Sequence, residues 1–579
     1  MFPVAAHPSA TVLKVAPGGN VISSRGEDLA VPTSRVTKAT RNLTLAGGRK
    51  SVRSQAGMVV SVSAEATHIG VKVLEQGGNA VDAAVAVAVA LAVTHPSAGN
   101  LGGGGFALVR LQNGETAALD FRESSPRALE RARFVRMIQS GGEGADSVAV
   151  PGSVAGWVEL SSRFGRMPFA DLVRPAQVLA ESGHRVSTRE ANAIRVAWPK
   201  LKQWPLPRQR YGTASGQPVP AGTWLKLPEL AATLSTIQAE GGRGFYAGSV
   251  AASLVKALGP SSQLSLDDLA AYRAIWRRPL VVSYRDIGVT TMPPPSAGGA
   301  ALAESLVMLN RYDPGTLARG SAAHAHVLLE IMRRAQADRI YRVVDPDTWS
   351  DSERAAHLAS FVDPDRWLRR VPIDTQRATA NAQIVAEDGL AFEPEHTTHL
   401  AVIDRDGMAV SLTTTLSSGF GSKLVTATGI VLNNAVGSFS GLGENQPLPN
   451  RRTTSSMAPT MVEDTSGLRL VLGTPGGDTI PSTLLQLVNS LVDYSVPIDL
   501  AVDAPRLHQG VARRAGVRLE GNRPASAEVR HGLAKLGHKF DQSTGAMGHA
   551  NTIGVIDGNF YGYVDPREGG LALGPEQAH

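Results

Sequence analysis

Residues 83–93 read Ala-Ala-Val-Ala-Val-Ala-Val-Ala-Leu-Ala-Val, eleven consecutive apolar residues. The run falls short of the roughly 18 residues that suggest a membrane span. Asp82 precedes it and Pro96 follows soon after. It therefore reads as a buried helix. A helix apolar on every face must be enclosed on all sides, which asks for a layered fold of some size. The chain has 579 residues, enough for one large or two ordinary domains. Its 43% hydrophobic and 19% charged content matches ordinary globular proteins.

The chain contains no cysteine, so disulfides, thiolate metal sites and a cysteine nucleophile are excluded. The formal net charge of +6 is confined to residues 1–55, which carry eight basic and two acidic residues; the remainder is neutral. A nucleic-acid partner would need a basic face on the folded body, and none is visible. Residues 1–56 are expected to form a basic, disordered N-terminal extension; an organelle-type targeting segment is the alternative. Met1–Ala16 has no sustained apolar core, so no secretory signal is clear. A cytoplasmic location is favoured, with periplasmic or secreted location open.

Folded sequence is expected to begin at the strand-like stretch Gly57–Ser61. A helical pattern through Ile69 and Leu74 ends at Gly77-Gly78, a C-cap signal. The alanine-rich helix follows, then Gly102–Gly105 feeding a strand at 107–111. Residues 170–270 read as helices with a Pro/Trp-rich break around Trp198–Pro207. Residues 278–299 read as a strand and 300–370 as helix. After Glu395 the texture turns to short β-type runs at 398–403, 409–416, 429–432 and 468–472, with a helix at Ser482–Val492. Helix-rich sequence followed by sheet-rich sequence argues for helices packed on sheets.

The chemistry centres on His396-Thr397-Thr398-His399. A threonine hydroxyl is nearly inert inside a chain. At an N-terminus it gains an α-amine of pKa about 7.7–8 as a built-in base. Alone, a Thr-Thr pair at a strand start is ordinary. Its context changes the reading. Gly77-Gly78-Asn79-Ala80-Val81-Asp82, Gly102–Phe106, Asp120-Phe121-Arg122-Glu123, Val150–Gly156 and Pro293–Gly299 precede it. Asp406-Gly407, Asn433-Asn434, Ser455-Ser456-Met457, Thr474-Pro475-Gly476-Gly477 and Ala504-Pro505-Arg506 follow.

In this order the stretches resemble the γ-glutamyltranspeptidase family (γ-glutamyltransferases, or glutathione hydrolases) from about Gly57 to Arg567. The resemblance implies an α+β N-terminal-nucleophile hydrolase fold, a four-layer αββα sandwich made from two fragments of one precursor. It implies self-cleavage before Thr397, giving a large subunit over 57–396 and a small catalytic subunit over 397–579 that stay associated. Thr397 would be the nucleophile, Thr415 would orient it, and Gly476 and Gly477 would offer N–H groups to the oxyanion. Arg122, Ser455 and Ser456 would hold the glutamyl α-carboxylate, and an ion pair with Glu123 or Asp120 is the plainer role for Arg122. No organic cofactor and no metal is implied; His396 and His399 read as local hydrogen-bonding groups.

The match fails at one place. The positions that hold the substrate's α-ammonium in the family fall here on Ser417, Ala435 and Ser438, where asparagine, glutamine or glutamate, and aspartate are usual. Losing one partner of a buried charged pair costs on the order of 3–5 kcal/mol. An acyl group with the carboxylate but no amine, as in the glutaryl amides hydrolysed by the related cephalosporin acylases, escapes that penalty. The stretch 441–451 is also short where many relatives carry a longer lid, so hydrolysis is expected to compete with transfer. The leading expectation is an amide hydrolase and acyl transferase acting on small γ-glutamyl, glutathione-like amides. A glutaryl or cephalosporin-type acylase is the alternative. A non-catalytic homologue is a third reading, opposed by the retention of Thr397, Thr415, Gly476, Gly477 and Arg122.

Overall fold

The computed structural model describes residues 31–576 except 37, 261, 385–395, 442–443, 511–514 and 542–544. The apolar run lies in a helix, Ala80–Thr94, in which every residue is buried. The polar residues before it explain where it starts. The Asn79 side chain accepts from the Val81 and Asp82 amides, and Asp82 accepts from the Asn79 amide in return, a capping box. Asp404 adds a third acceptor, taking the Ala80 amide at 2.9 Å.

Two antiparallel sheets form the centre. The first runs Thr33–Ser34, Thr116–Phe121, Gly104–Arg110, Ala409–Thr415, Thr397–Asp404, Gly57–Ser61 and Leu571–Leu573, with Ile275–Arg277 beside Thr116–Phe121. The second runs Val52–Ser54, Asn559–Val564, Asn551–Ile556, Gly467–Gly473, Thr460–Asp464, Ile287–Thr291 and Leu280–Tyr284. Alternation along the strands of the first sheet sets the layers. Val59, Val109, Leu412 and Val402 join one core with the Ala80–Thr94 helix. Their neighbours Val60, Leu108, Ala401 and Ile403 join the other core with Val289, Val471 and Ile553 of the second sheet. Helices Ala297–Leu309 and Ile480–Asp493 cover the far side of that sheet. The result is the expected sandwich of helices, two sheets and helices.

Both sheets mix strands from before and after Thr397. Thr397–Asp404 pairs with Gly57–Ser61, and Ala409–Thr415 pairs with Gly104–Arg110. A cut before Thr397 would leave two interleaved fragments held by the same ladders and cores.

Three expectations are corrected. Residues 31–56 are not all a loose extension: Thr33–Ser34 and Val52–Ser54 each add to a sheet edge, and Leu43 and Leu45 are buried. Edge strands need only a partner's free amides and carbonyls, which this polar segment can meet without a strong apolar pattern. Residues 1–30 lie outside the described residues. Residues 278–299 hold a hairpin of two strands rather than one, turning at Arg285 and Asp286. Residues 429–432 form no strand; Gly429 instead closes a turn in which Thr426 and Ile430 bond. Helix Thr188–Leu201 runs through Pro199, and Pro205 opens the next helix, where a missing amide costs nothing. Among the described residues no helix is long and apolar enough to cross a membrane.

Candidate active site

The hairpin between the two central strands sets the site. Its turn, Asp404–Met408, is tied by the Asp404 carboxylate, which accepts from the Asp406 and Met408 amides. That register places Thr397 directly opposite Thr415. Thr397 Oγ1 donates to Thr415 Oγ1 at 3.3 Å, and Thr415 Oγ1 donates to the His396 carbonyl at 2.8 Å. One hydroxyl therefore touches both the proposed nucleophile and the carbonyl preceding it. The Ser417 amide donates to the same Thr415 oxygen at 2.9 Å. All three residues are buried.

The four glycines at 102–105 are packing residues, as read from the sequence. A Cβ on Gly103 would stand 2.1 Å from the Thr415 carbonyl oxygen, and one on Gly105 2.4 Å from that of Thr413. No side chain fits between these strands.

Arg122 follows the Thr116–Phe121 strand and is 1% exposed. It forms an ion pair with Glu123, and its Nη2 donates to Ser438 Oγ at 3.2 Å and to the Thr454 carbonyl at 3.3 Å. Its Nε is buried without a hydrogen-bond partner. Arg122 makes the structural pair with Glu123 and also lines one pocket with Thr397.

Ser455 and Ser456 lie along the loop that opens the Ala297–Leu309 helix. The Ser455 carbonyl accepts from the Ala297 and Gly298 amides. Ser455 Oγ accepts from the Met457 amide at 3.2 Å, and Ser456 Oγ accepts from Arg339 Nη1 at 2.8 Å. The glycine pair sits just before the Ile480–Asp493 helix, with Gly476 at φ +131 and Gly477 at φ +57. Both angles favour glycine.

The wall that departs from the family pattern carries no acid. Ser417 adopts φ +75, uncommon for a residue with a Cβ, and its Oγ is buried without a partner. Ser438 closes the short helical turn Ala435–Ser438, where Ala435 is fully buried. Asn434 supports this wall, accepting from the Ser418 amide at 2.9 Å and donating to the Gly142 carbonyl.

These residues converge. One pocket is lined by Arg122, Thr397, Thr415, Ser417, Ser438, Ser455, Ser456 and Gly477, with Ile480. Gly476 and Ala435 stand one step behind it. None of the described residues of 441–451 lines it. Sequence reasoning missed Arg339, on the Ala322–Tyr341 helix and 117 positions from Ser456. Its only signal was a charged run, Arg333-Arg334 to Arg339, that reads as a solvated face.

The flanking histidines are neutral. Burial pulls the His396 pKa down to about 4, with Arg189 and Lys423 adding to the effect. Burial and the His549 charge pull His399 down to about 3. His399 Nδ1 is 2.8 Å from Thr413 Oγ1, the local bond expected of it. Among the described residues one cluster has metal-capable groups, His326, Glu330 and His538. Its atoms are already engaged: the histidines bond each other, His326 Nε2 meets the Asp374 carbonyl, and Glu330 accepts from Arg333, Arg334 and Thr379.

Comparison with known proteins gives the same reading. The family model described as Gamma-glutamyltranspeptidase matches residues 66–574. The chain is 36% identical over 546 residues to a glutathione hydrolase proenzyme of Escherichia coli, covering 89% of this chain and 91% of that protein. It is 32% identical over 548 residues to an acylase ACY 1 proenzyme of Pseudomonas, covering 90% and 93%. Among solved structures it resembles a cephalosporin acylase from Bacillus halodurans, with a TM-score of 0.81 and 26% identity, over 94% of this chain and all of that one. Matched by the family model over most of its length and by relatives along nearly their whole chains, the chain belongs to the γ-glutamyltranspeptidase family.

Proposed function

We propose that this protein is a self-processing N-terminal-threonine amide hydrolase and acyl transferase. The observation that carries the reading is the contact of Thr415 Oγ1 with both Thr397 Oγ1 and the His396 carbonyl. In processing, Thr397 Oγ1 attacks the His396 carbonyl carbon. Thr415 donates to the oxygen on which negative charge develops. The C–N bond breaks, leaving an ester on Thr397 and a free α-amine. Water then opens the ester to give a His396 carboxylate and a new N-terminus.

In turnover the α-amine takes the hydroxyl proton as Thr397 attacks the substrate amide. The Gly476 and Gly477 amides hold the oxyanion, the amine product leaves with a proton, and water or an acceptor amine releases the acyl group. Arg122, with its donor fork, and Ser455 and Ser456 bind a carboxylate on the acyl chain.

The first reading of that acyl group is γ-glutamyl, as in glutathione. A second reading, a glutaryl-like group without the amine, is favoured by one feature: among the described residues no carboxylate lines the pocket, and Ser438 Oγ accepts from Arg122. The deciding experiment compares kcat/KM of the processed protein on γ-glutamyl-anilide and glutaryl-anilide. A tenfold or greater advantage for one donor assigns the acyl group; turnover of neither removes the hydrolase reading.

A further inference from the structure

Arg339 reaches the pocket's carboxylate side from the last turn of the Ala322–Tyr341 helix and is 8% exposed. Its Nη1 donates to Ser456 Oγ at 2.8 Å, and its Nε donates to Gln336 Oε1 at 2.6 Å. Gln336 Nε2 in turn donates to the Asp478 carbonyl at 2.8 Å. Asp478 sits inside the Gly477–Thr479 turn, next to the glycine that borders the pocket. One helical turn thus holds two separate walls of the site.

The direction of these bonds is forced. A guanidinium has only donors. Ser456 must therefore accept from Arg339, and its own hydrogen turns away from that group. Gln336 must likewise present its oxygen to Arg339, which aims its NH2 at the Asp478 carbonyl.

We propose that Arg339 and Gln336 form a positioning strut. Arg339 fixes the Ser456 hydroxyl oxygen at the acyl-carboxylate side of the pocket, and Gln336 holds the glycine turn at the distance the oxyanion needs. Neither residue touches the substrate. The proposal rests on the acyl-site reading above, and its test separates the two.

The test uses Arg339→Gln, Gln336→Leu and Ser456→Ala in the full chain. It uses two donors of equal length, glutaryl-anilide and valeryl-anilide, the second without a carboxylate. Arg339→Gln is expected to process into two fragments, to raise KM for glutaryl-anilide about tenfold and not for valeryl-anilide, and to lower kcat on both donors by no more than Gln336→Leu does. In a Ser456→Ala background Arg339→Gln should add nothing to KM. Gln336→Leu should lower kcat on both donors by about tenfold at unchanged KM. Equal rises in KM on both donors from Arg339→Gln, full additivity in KM with Ser456→Ala, or an unaffected kcat in Gln336→Leu would each overturn the strut. Should Arg339→Gln fail to fold, Arg339→Lys takes its place with the same readings. If wild type turns over neither of these two anilides, the strut is read from binding; the hydrolase reading falls only if γ-glutamyl-anilide is not turned over either. Glutarate should then raise the melting temperature of wild type and not of Arg339→Gln. A rise that persists in the variant, or no rise in wild type, overturns the strut as well.

Discussion

The Ser455–Ser456 wall and the Ser417–Ser438 wall line one pocket with Thr397, yet they are supported differently. The first is held by charged groups: Arg339 bonds Ser456, and Arg122 lies beside Thr454 with Glu123 behind it. On the second, Arg122 reaches Ser438, and the rest of the support is neutral. Asn434 carries its loop, Ala435 fills it with a methyl, and Ser417 and Ser438 offer only hydroxyls. An anion meets donors on the first wall, whereas a cation meets no counter-charge on the second. Under the proposed function, the carboxylate-binding and ammonium-binding sides of such a pocket are physically separable, and one can be lost while the other stays intact.

The contrast can be broken most severely at its shared centre. Thr397→Ala removes the hydroxyl that serves both walls. It should leave the chain uncut on a denaturing gel and lower turnover at least about a thousandfold. Residual processing at the wild-type rate would remove Thr397 from the mechanism.

Next in size is Arg122→Met, which strips the charged wall. Glu123 would be left buried and unpaired, costing about 3–5 kcal/mol. A lower urea midpoint should accompany a fall of about a hundredfold in kcat/KM on carboxylate-bearing donors. An unchanged midpoint would mean that Glu123 finds another partner.

The neutral wall can be rebuilt instead. Ser417→Asn, Ala435→Gln and Ser438→Asp together restore acceptors and one negative charge. The ratio of γ-glutamyl to glutaryl kcat/KM should rise about tenfold or more. A ratio that stays put would place the ammonium site elsewhere.

The smallest effect concerns the strand under both walls. His399 has its pKa lowered to about 3 from an ordinary 6.5. Below pH 6.5 the unfolded chain takes a proton that the folded chain refuses, so stability is full above that pH and falls progressively toward pH 3. By pH 5 the loss is on the order of 2 kcal/mol. Urea midpoints at pH 7 and pH 5 should differ less in His399→Gln than in wild type.

Much of this was legible in the sequence wherever contacts are local. The capping pattern at Asn79 and Asp82 marks a helix start, because three residues suffice to close a capping box. Thr397 and Thr415 are brought together by a single hairpin, so the Asp406-Gly407 turn between them carries the information. The glycine run at 102–105 was readable as close packing for the same reason: a missing Cβ is a local property. Family resemblance added Arg122 and the serine pair, which no spacing rule connects to Thr397. Residues 31–56 were misjudged because edge pairing uses backbone groups that every residue has.

The sequence by itself determined a helix apolar all round, short strand-type runs on either side of the Asp406-Gly407 turn, and the serines and alanine at 417, 435 and 438 where the family carries polar and acidic residues. Only the tertiary structure decided that Arg339 bonds Ser456, that Gln336 bonds the Asp478 carbonyl, and that Arg122 pairs with Glu123 while lining the pocket. The reason is range. Turns, caps and ladders are set by neighbours a few residues apart, whereas a contact across 117 positions exists only because two sheets and their helices pack as one body.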